Sequence, residues 1–278
     1  MKMHFLFLLS AIVFLSGCIY QTETQKVSNV GLSTALTIST KQVKASSPVT
    51  FILNIKNLAS EVAEGIKVQL LNLNEWRIEN ELQELKELLP NDIYKFSWIA
   101  YAPQQSKNFT PTANIFYFMK TKSDIKLRVY NNDYLNTLSH EERNKIKEKS
   151  AILFSTISKN TPVLIEIHLQ QPFILTQKTE KFPFVLEIKN VGLGEVYKNN
   201  SKYPPTERDK DYVTFSYSSN STLECDSSNG EIVKLANGAK SIVCRVVASQ
   251  IDKYSDFSIN FTVSYAYLDK TKTEIKVV

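Results

Sequence analysis

The chain predicts an all-β protein: two tandem β-sandwiches with a short helix between them. Three observations carry this. Apolar and polar residues alternate in short runs with a period of two, the pattern of strands that bury one face. Polar turn segments such as Asn237-Gly238 separate those runs, as they do between the strands of a sandwich. Two segments also recur in the same order, so one fold is used twice.

The N-terminus has Lys2, an apolar run from Phe5 to Leu15, and then Leu15-Ser16-Gly17-Cys18. A bilayer-spanning helix takes about 20 apolar residues, so this run is short for a span but fits the hydrophobic region of a secretory signal. Its ending resembles a bacterial and archaeal lipobox. That resemblance implies cleavage after Gly17 and a lipid on Cys18, which would hold the exported protein to the outer face of the cell membrane. Residues 1–17 are therefore expected to be a signal peptide, with an ordinary secretory signal or a retained anchor as the alternatives. Residues 18–32 are polar and turn-rich and read as a tether.

The repeat sets the rest. Phe51-Ile52-Leu53-Asn54-Ile55-Lys56-Asn57-Leu58 matches Phe184-Val185-Leu186-Glu187-Ile188-Lys189-Asn190-Val191, 133 residues on. Lys120-Thr121-Lys122-Ser123-Asp124-Ile125-Lys126-Leu127 matches Lys270-Thr271-Lys272-Thr273-Glu274-Ile275-Lys276-Val277, 150 residues on. The first match alternates as a half-buried strand. The second sits between strand patterns at Ala113 to Met119 and Ile125 to Tyr130, so Lys120 to Ser123 reads as a hairpin turn, and Lys270 to Thr273 as its copy. Further strands are expected at Ile66-Val68-Leu70, Tyr94-Phe96-Trp98, Val213-Phe215-Tyr217 and Ile242-Cys244-Val246.

Residues 33–130 form the first expected domain and 161–278 the second. Between them, in a linker over 131–160, Ser139-His140-Glu141-Glu142 has the capping-box form and predicts a helix running to about Lys149. Leu82, Leu85 and Leu89 stand at helical spacing before Pro90, which predicts a second helix over Glu79 to Leu89. The second copy is 17 residues longer between the two matches, and the Lys198 to Asp211 loop, with Tyr203-Pro204-Pro205 near its centre, accounts for most of that.

Composition narrows the function. A formal net charge of +5 with both signs mixed along the chain is no nucleic-acid footprint. Beyond Cys18 the only cysteines are Cys225 and Cys244, which in an exported protein most simply form one disulfide. No metal site is read. His140 and His168 lack a partner at any recognised catalytic spacing and read as structural. Glu207, Asp209 and Asp211 lack the glycine and spacing of a calcium loop, and Lys210 lies among them. The lysines at 120, 122, 126, 270, 272 and 276 fit either an exposed strand face or the guarding of an edge, more simply than a contact to anionic polymers. No cofactor motif is found.

Offset by 150, Ala266 and Leu268 fall where the first copy has Phe116 and Phe118. Val263, Tyr265 and Tyr267 are expected to face inward. Phe116 and Phe118 would then form an apolar patch on the outer face, covered by the linking helix, the second domain or a partner. Together with Tyr203, Pro204 and Pro205 they are the candidate interaction surface, since long loops at the end of a sandwich often carry recognition.

The strand and turn Phe184-Val185-Leu186-Glu187-Ile188-Lys189-Asn190-Val191-Gly192-Leu193-Gly194-Glu195-Val196 resembles prokaryotic immunoglobulin-like domains of the cell-adhesion-related type (CARDB) and their archaeal counterparts. Leu89-Pro90-Asn91-Asp92 followed by Phe96-Ser97-Trp98 resembles a turn and strand of the same domains. Ala59 and Ser60 stand where glycine is usual, so the first copy's turn is expected to be built differently. The resemblance implies a surface role in attachment or assembly and no catalytic residue. The expected function is that of a non-enzymatic, lipid-anchored adhesion or envelope-assembly protein, with membrane, envelope proteins or surface polymers as partners. The alternative is a solute- or polymer-binding lipoprotein accessory to a transporter.

Overall fold

Alternation becomes strand along most of the chain, and the all-β sandwich architecture holds. The computed structural model describes residues 29–149, 151–169 and 172–278. The signal segment, Cys18 and the tether before Asn29 lie outside the described residues. The first copy runs β1 (Leu32–Ile38), β2 (Gln42–Val43), β3 (Pro48–Asn57), β4 (Ala63–Leu71), β5 (Arg77–Ile78), β6 (Leu82–Leu88), β7 (Ile93–Tyr101), β8 (Asn108–Phe109) and β9 (Thr112–Asn131). Helices α1 (Asn132–Thr137) and α2 (His140–Lys147) and strand β10 (Ile152–Ile157) follow. The second copy runs β11 (Val163–His168), β12 (Phe173–Leu175), β13 (Thr179–Asn190), β14 (Glu195–Lys198), β15 (Tyr212–Ser219), β16 (Leu223–Cys225), β17 (Glu231–Lys234), β18 (Ala239–Ser249), β19 (Tyr254–Lys272) and β20 (Ile275–Val277).

Each copy has its own four-stranded sheet, β1-β3-β7-β5 in the first and β11-β13-β18-β16 in the second. The matching strands β3 and β13 occupy the same central place. Opposite them lies one sheet common to both copies, in the order β17-β15-β19-β9-β4-β6. Its inward side chains, among them Ile66, Val68, Ile115, Phe215, Phe261 and Val263, join those of the smaller sheets in one continuous core.

The centre of the shared sheet corrects the two expected hairpins. Lys120 to Ser123 does not turn. β9 passes straight through it, and β9 and β19 pair antiparallel over nineteen residue pairs, from Thr112 opposite Lys272 to Tyr130 opposite Tyr254. β20 and β8 prolong the same register, with Ile275 opposite Phe109. Residues 112–118 of β9 lie against β4 of the first copy, whereas 123–131 lie against β10 and against β12 of the second. β19 likewise pairs with β15 through Ile259–Ser264, and the chain beyond it, as β20, pairs with β2 and β8 of the first copy. Each copy's last strand therefore completes the other copy's sandwich, as in a domain swap within one chain. Residues 123–130, assigned to the first domain by the sequence, add their strand to the second.

Tyr117 and Tyr267 are ladder partners and also equivalent residues of the repeat, so the local two-fold relating the copies passes between them. Their ring centroids lie 5.7 Å apart. Around this axis the inward positions hold small polar residues: Thr121 Oγ1 donates to Val163 O at 2.7 Å and lies 3.2 Å from the Tyr265 hydroxyl. Gly194 N–H donates to the Tyr267 hydroxyl at 2.8 Å. A Cβ on Gly192 would stand 2.1 Å from that hydroxyl, so glycine is required there by close approach. The lysines of the repeat alternate with these buried residues and are exposed. They sit on the outer face of central strands, not on edges.

The turn after β3 is a second correction. Asn57 Oδ1 accepts from Ala59 N–H at 3.0 Å while its amide donates to Glu61 O at 2.8 Å. Asn190 Oδ1 accepts from Gly192 N–H at 3.2 Å and its amide donates to Gly194 O at 3.1 Å. One asparagine-built turn is used twice, without glycine in the first copy, because the side chain supplies the closing hydrogen bonds. The predicted helix over Glu79 to Leu89 is also overturned: this segment holds β6, with Leu85 opposite Ile66 and Leu88 opposite Ala63. Pairing with β4 outweighs a helical spacing whose leucines at 82 and 89 remain 42% and 49% exposed. The Ser139 capping box is present as expected, Ser139 N–H donating to Glu142 at 3.0 Å and Glu142 N–H to Ser139 Oγ at 3.3 Å.

Cys225 and Cys244 face each other across β16 and β18 and are bridged. In the chain-entropy view a loop of this size adds about 3 kcal/mol. Cys244 stands opposite Phe184 as Trp98 stands opposite Phe51, so a buried tryptophan fills the equivalent place in the first copy.

Two expectations follow from the ladder. Proteolytic nicking between Ser139 and Lys149 should leave both fragments in one peak on native size exclusion, separating only in denaturant. Two peaks in native buffer would mean that the ladder does not hold the halves together. On the ladder, Arg128 donates to both carboxylate oxygens of Asp256, at 2.6 and 2.9 Å, and holds that carboxyl below the usual range. A folded value depressed below the unfolded one gives stability that is present above about pH 4 and lost as the pH falls through the folded value. Asp256→Asn should cost about 1–2 kcal/mol at neutral pH, and urea titrations should show the gap to wild type closing in acid.

Candidate functional site

The two parts of the candidate surface form one assembly. Phe116 and Phe118 lie on the outer face of β9, cross-strand from Leu268 and Ala266 of β19. This face sits on the local two-fold, opposite the Tyr117–Tyr267 contact. The first copy places two phenylalanines there and the second a leucine and an alanine.

The long loop supplies the cover. It leaves β14 at Lys198 and returns at Tyr212 to begin β15, so it interrupts what is one strand, β4, in the first copy. Its neck is closed by Asp211 N–H donating to Val196 O at 2.8 Å and by a bridge between Tyr197 and Lys210. Lys210 Nζ meets Glu195 at 2.7 Å, and the Tyr197 hydroxyl donates to the same carboxylate at 2.9 Å. Lys210, followed by Tyr197 and the charge of Lys270, holds the Glu195 carboxyl below its usual value. Burial, reinforced by Glu195, raises Tyr197.

From this neck the loop folds across the two-fold onto the first copy. The Tyr203 ring lies 5.6 Å from Phe116, and its hydroxyl donates to Gln69 Oε1 on β4 at 2.8 Å. Phe116 in turn meets Phe118 edge-on at 5.3 Å. Phe116, Tyr197, Ala266 and Leu268 form a small buried cluster with Phe118 and Tyr203 packed against it. Phe116 is only 1% exposed, so it is the floor under the loop and not an open patch. The second copy provides the cover, one of the three possibilities read from the sequence. Burial against Phe116 raises the Tyr203 hydroxyl. Pro204 is exposed and Pro205 half-buried, and the Tyr203-Pro204 peptide is cis.

The outer rim of the loop carries exposed Lys202, Pro204, Thr206, Glu207 and Arg208. Beside it a cavity of about 160 Å³ is lined by Glu61, Glu64, Phe118, Lys120, Lys122 and Asn199 among others. On its polar wall Glu61 joins the linker to the first copy, with Lys122 Nζ 2.9 Å from one Glu61 oxygen and Ser158 Oγ 2.8 Å from the other. The acids at 207, 209 and 211 do not converge: a 3-10 turn spans Glu207–Asp209, Thr206 Oγ1 donates to Asp209, and Lys210 belongs to Glu195.

His140 opens α2 and bonds Asn144 at 3.2 Å. His168 is drawn into a group the sequence did not reveal, with Glu166, Glu187 and Lys189 on the outer face of β11 and β13. Lys189 Nζ sits 2.8 Å from Glu166 and 2.9 Å from Glu187, and it holds the Glu187 carboxyl low. The position a cation would take between the two carboxylates is thus occupied by an ammonium. The two period-two pairs Glu166/His168 and Glu187/Lys189 were visible, but their convergence depends on the β11–β13 register.

No family model matches the chain, and no curated protein does. Among solved structures it is similar over 88% of its length to a secreted serine protease, VesC, from Vibrio cholerae, at 11% identity and a TM-score of 0.24, covering 51% of that chain. Escherichia coli alpha-2-macroglobulin activated by porcine elastase gives 11% identity and 0.23 over 88% of this chain and 32% of that one. A collagen adhesin from S. aureus gives 11% and 0.14 over 90% and 93%. The chain spans about half or less of the first two. At such scores none of the three bears on fold or function.

Truncating the cap should be costly. Tyr203→Ala should lower stability by roughly 2 kcal/mol and increase binding of a hydrophobic dye, as the Phe116 floor opens to water. Tyr203→Phe, which loses only the bond to Gln69, should cost about 1 kcal/mol. Unchanged denaturant midpoints in both variants would show that the loop does not rest on the floor.

Proposed function

We propose that this chain is a non-enzymatic, lipid-anchored protein of the cell surface, acting in adhesion or envelope assembly and recognising its partner through the rim of the Lys198–Asp211 loop. The observation that carries the reading is the construction of that loop. One side is fixed to both copies through Tyr203, Phe116 and Gln69, while Lys202, Pro204, Thr206, Glu207 and Arg208 face solvent. Fixing a loop before binding lowers the ordering cost of association. Both signs of charge beside a proline suit a protein or a polar surface polymer better than a small apolar solute.

Anchoring rests on the lipobox resemblance at Leu15-Ser16-Gly17-Cys18. Each buried acyl methylene contributes about 0.8 kcal/mol, and two chains hold a protein stably at a membrane. Cys18→Ser should therefore leave the N-terminus unprocessed and without the lipid by intact mass. A photo-crosslinking residue at 202 or 208 in intact cells should give adducts with envelope protein or polymer. A crosslinker at Lys56, exposed on the outer face of β3, serves as the control. Adducts no stronger at the loop than at Lys56 would reject the loop as the recognition element, and saturable binding of a small solute would favour the transporter-accessory role instead.

A further inference from the structure

The two small sheets share a strand order but differ in charge. β1, β3, β7 and β5 hold Lys56, Lys95 and Arg77 and not one aspartate or glutamate. In the second copy β11, β13 and β16 carry Glu166, Glu180, Glu187 and Glu224, and Lys189 and Lys181 are paired with three of these. Among the described residues no carboxylate pairs with Lys56, Lys95 or Arg77, and Arg77 rests on the Tyr101 ring at 4.2 Å. Along β7 the outward side chains alternate with buried Phe96 and Trp98, so Lys95 shares the outer face with Ile93 and Ile99, which are 66% and 57% exposed. Lys56 lies opposite Ile93, and Arg77 opposite Tyr101. Unpaired cations among exposed isoleucines suit a surface that meets anionic lipid, where apolar tips enter the headgroup layer and cations sit among the phosphates.

We propose that the outer face of β1-β3-β7-β5 lies against a bilayer that contains anionic lipid. This rests on the anchor read at Cys18, which brings lipid within reach. Cys18 precedes Asn29 by eleven residues, a span of at most about 38 Å, and the described chain enters the fold through β1, the edge of this same sheet. Charge then selects the face that docks, because the second small sheet presents carboxylates where the first presents none. The position of the loop agrees. The core separates this face from the outer face of the shared sheet, where the Lys198–Asp211 loop is raised, so docking turns the loop rim away from the membrane.

The test replaces the lipid with a synthetic tether, so that it does not depend on processing at Cys18; intact mass at Cys18 decides the anchor separately. Residues 19–278, which include every described residue, carry an N-terminal polyhistidine held by a nickel-chelating lipid in phosphatidylcholine vesicles with or without phosphatidylglycerol. A fluorophore is attached at Ser97→Cys, exposed on the same face, or at Arg208→Cys on the loop rim. Each is the only free thiol, because Cys225 and Cys244 are bridged. A quencher on the lipid headgroup reads contact. With phosphatidylglycerol, quenching should be strong at 97 and at background at 208. Lys56→Gln with Lys95→Gln, both at exposed positions, should shift the ratio of docked to undocked protein about 30-fold toward undocked, roughly fivefold for each basic residue removed from an anionic surface. Equal quenching at 97 and 208, contact unchanged when phosphatidylglycerol is left out, or indifference to the double variant would each overturn the proposal.

Discussion

The antiparallel ladder of β9 and β19 is the interaction on which the rest of this structure depends. It is central to the shared sheet, β9 runs on from the first copy's sandwich into the second, and the chain beyond β19 returns as β20 to pair with β2 and β8 of the first. Ile125, Leu127 and Val129 are residues of the first repeat that fill the second core, while Ile275 and Val277 do the reverse. Neither copy alone would close its core or satisfy its sheet edge. The free energy of folding is therefore shared across the axis despite the internal repeat. The ion pair of Arg128 with Asp256 and the hydrogen bond of Thr121 to Val163 O both cross between copies, so even the polar contacts near the ladder serve the junction.

Much of this architecture was legible in the sequence, and the limits have physical causes. Strand positions followed from alternation, the disulfide from the cysteine count under an expected export, and the capping box from Ser139 and Glu142. The hairpin at Lys120 to Ser123 was misread because a period of two is the same whether a strand turns back or runs on. One signal was available: that segment has no glycine, asparagine or proline to make a tight turn, and its alternation is unbroken, Thr121 and Ser123 pointing inward between exposed lysines. Thr121 is polar because it bonds Val163 O beside the Tyr265 hydroxyl, and with Ser123 it disguised the segment as a turn. β6 was misread for a related reason, since leucine, glutamate and lysine favour helix locally and only the tertiary pairing with β4 decides otherwise. The site was legible in its parts and not in its assembly. Phe116, Phe118 and the loop each stood out by difference between the copies, but nothing in the sequence joined Tyr203 to Gln69 across 134 residues.

Where the copies agree, the chemistry is that of folding. Asn57 and Asn190 close the same turn, and Trp98 and the bridged Cys244 fill the same central position by different means. Where the copies differ, the outer face of the two-fold changes. A strictly symmetric protein would carry two identical pairs there, 116 with 266 and 118 with 268, whereas this chain carries two phenylalanines in one copy and an alanine and a leucine in the other.

That asymmetry accounts for the loop. A single segment cannot cover a two-fold face symmetrically, so one copy must supply the cover and the other the larger floor. The loop comes from the copy with the small residues, and Tyr203 reaches over Ala266 and Leu268 to Phe116 of the opposite strand, where Gln69 of the first copy receives its hydroxyl. The cover thereby becomes a second tie between the copies, on the face of the sheet away from the Tyr117–Tyr267 contact. With the ladder fixed from both faces, neither half can tilt against the other without breaking one of them. Whatever the rim of the loop carries is consequently held in one orientation relative to both sandwiches.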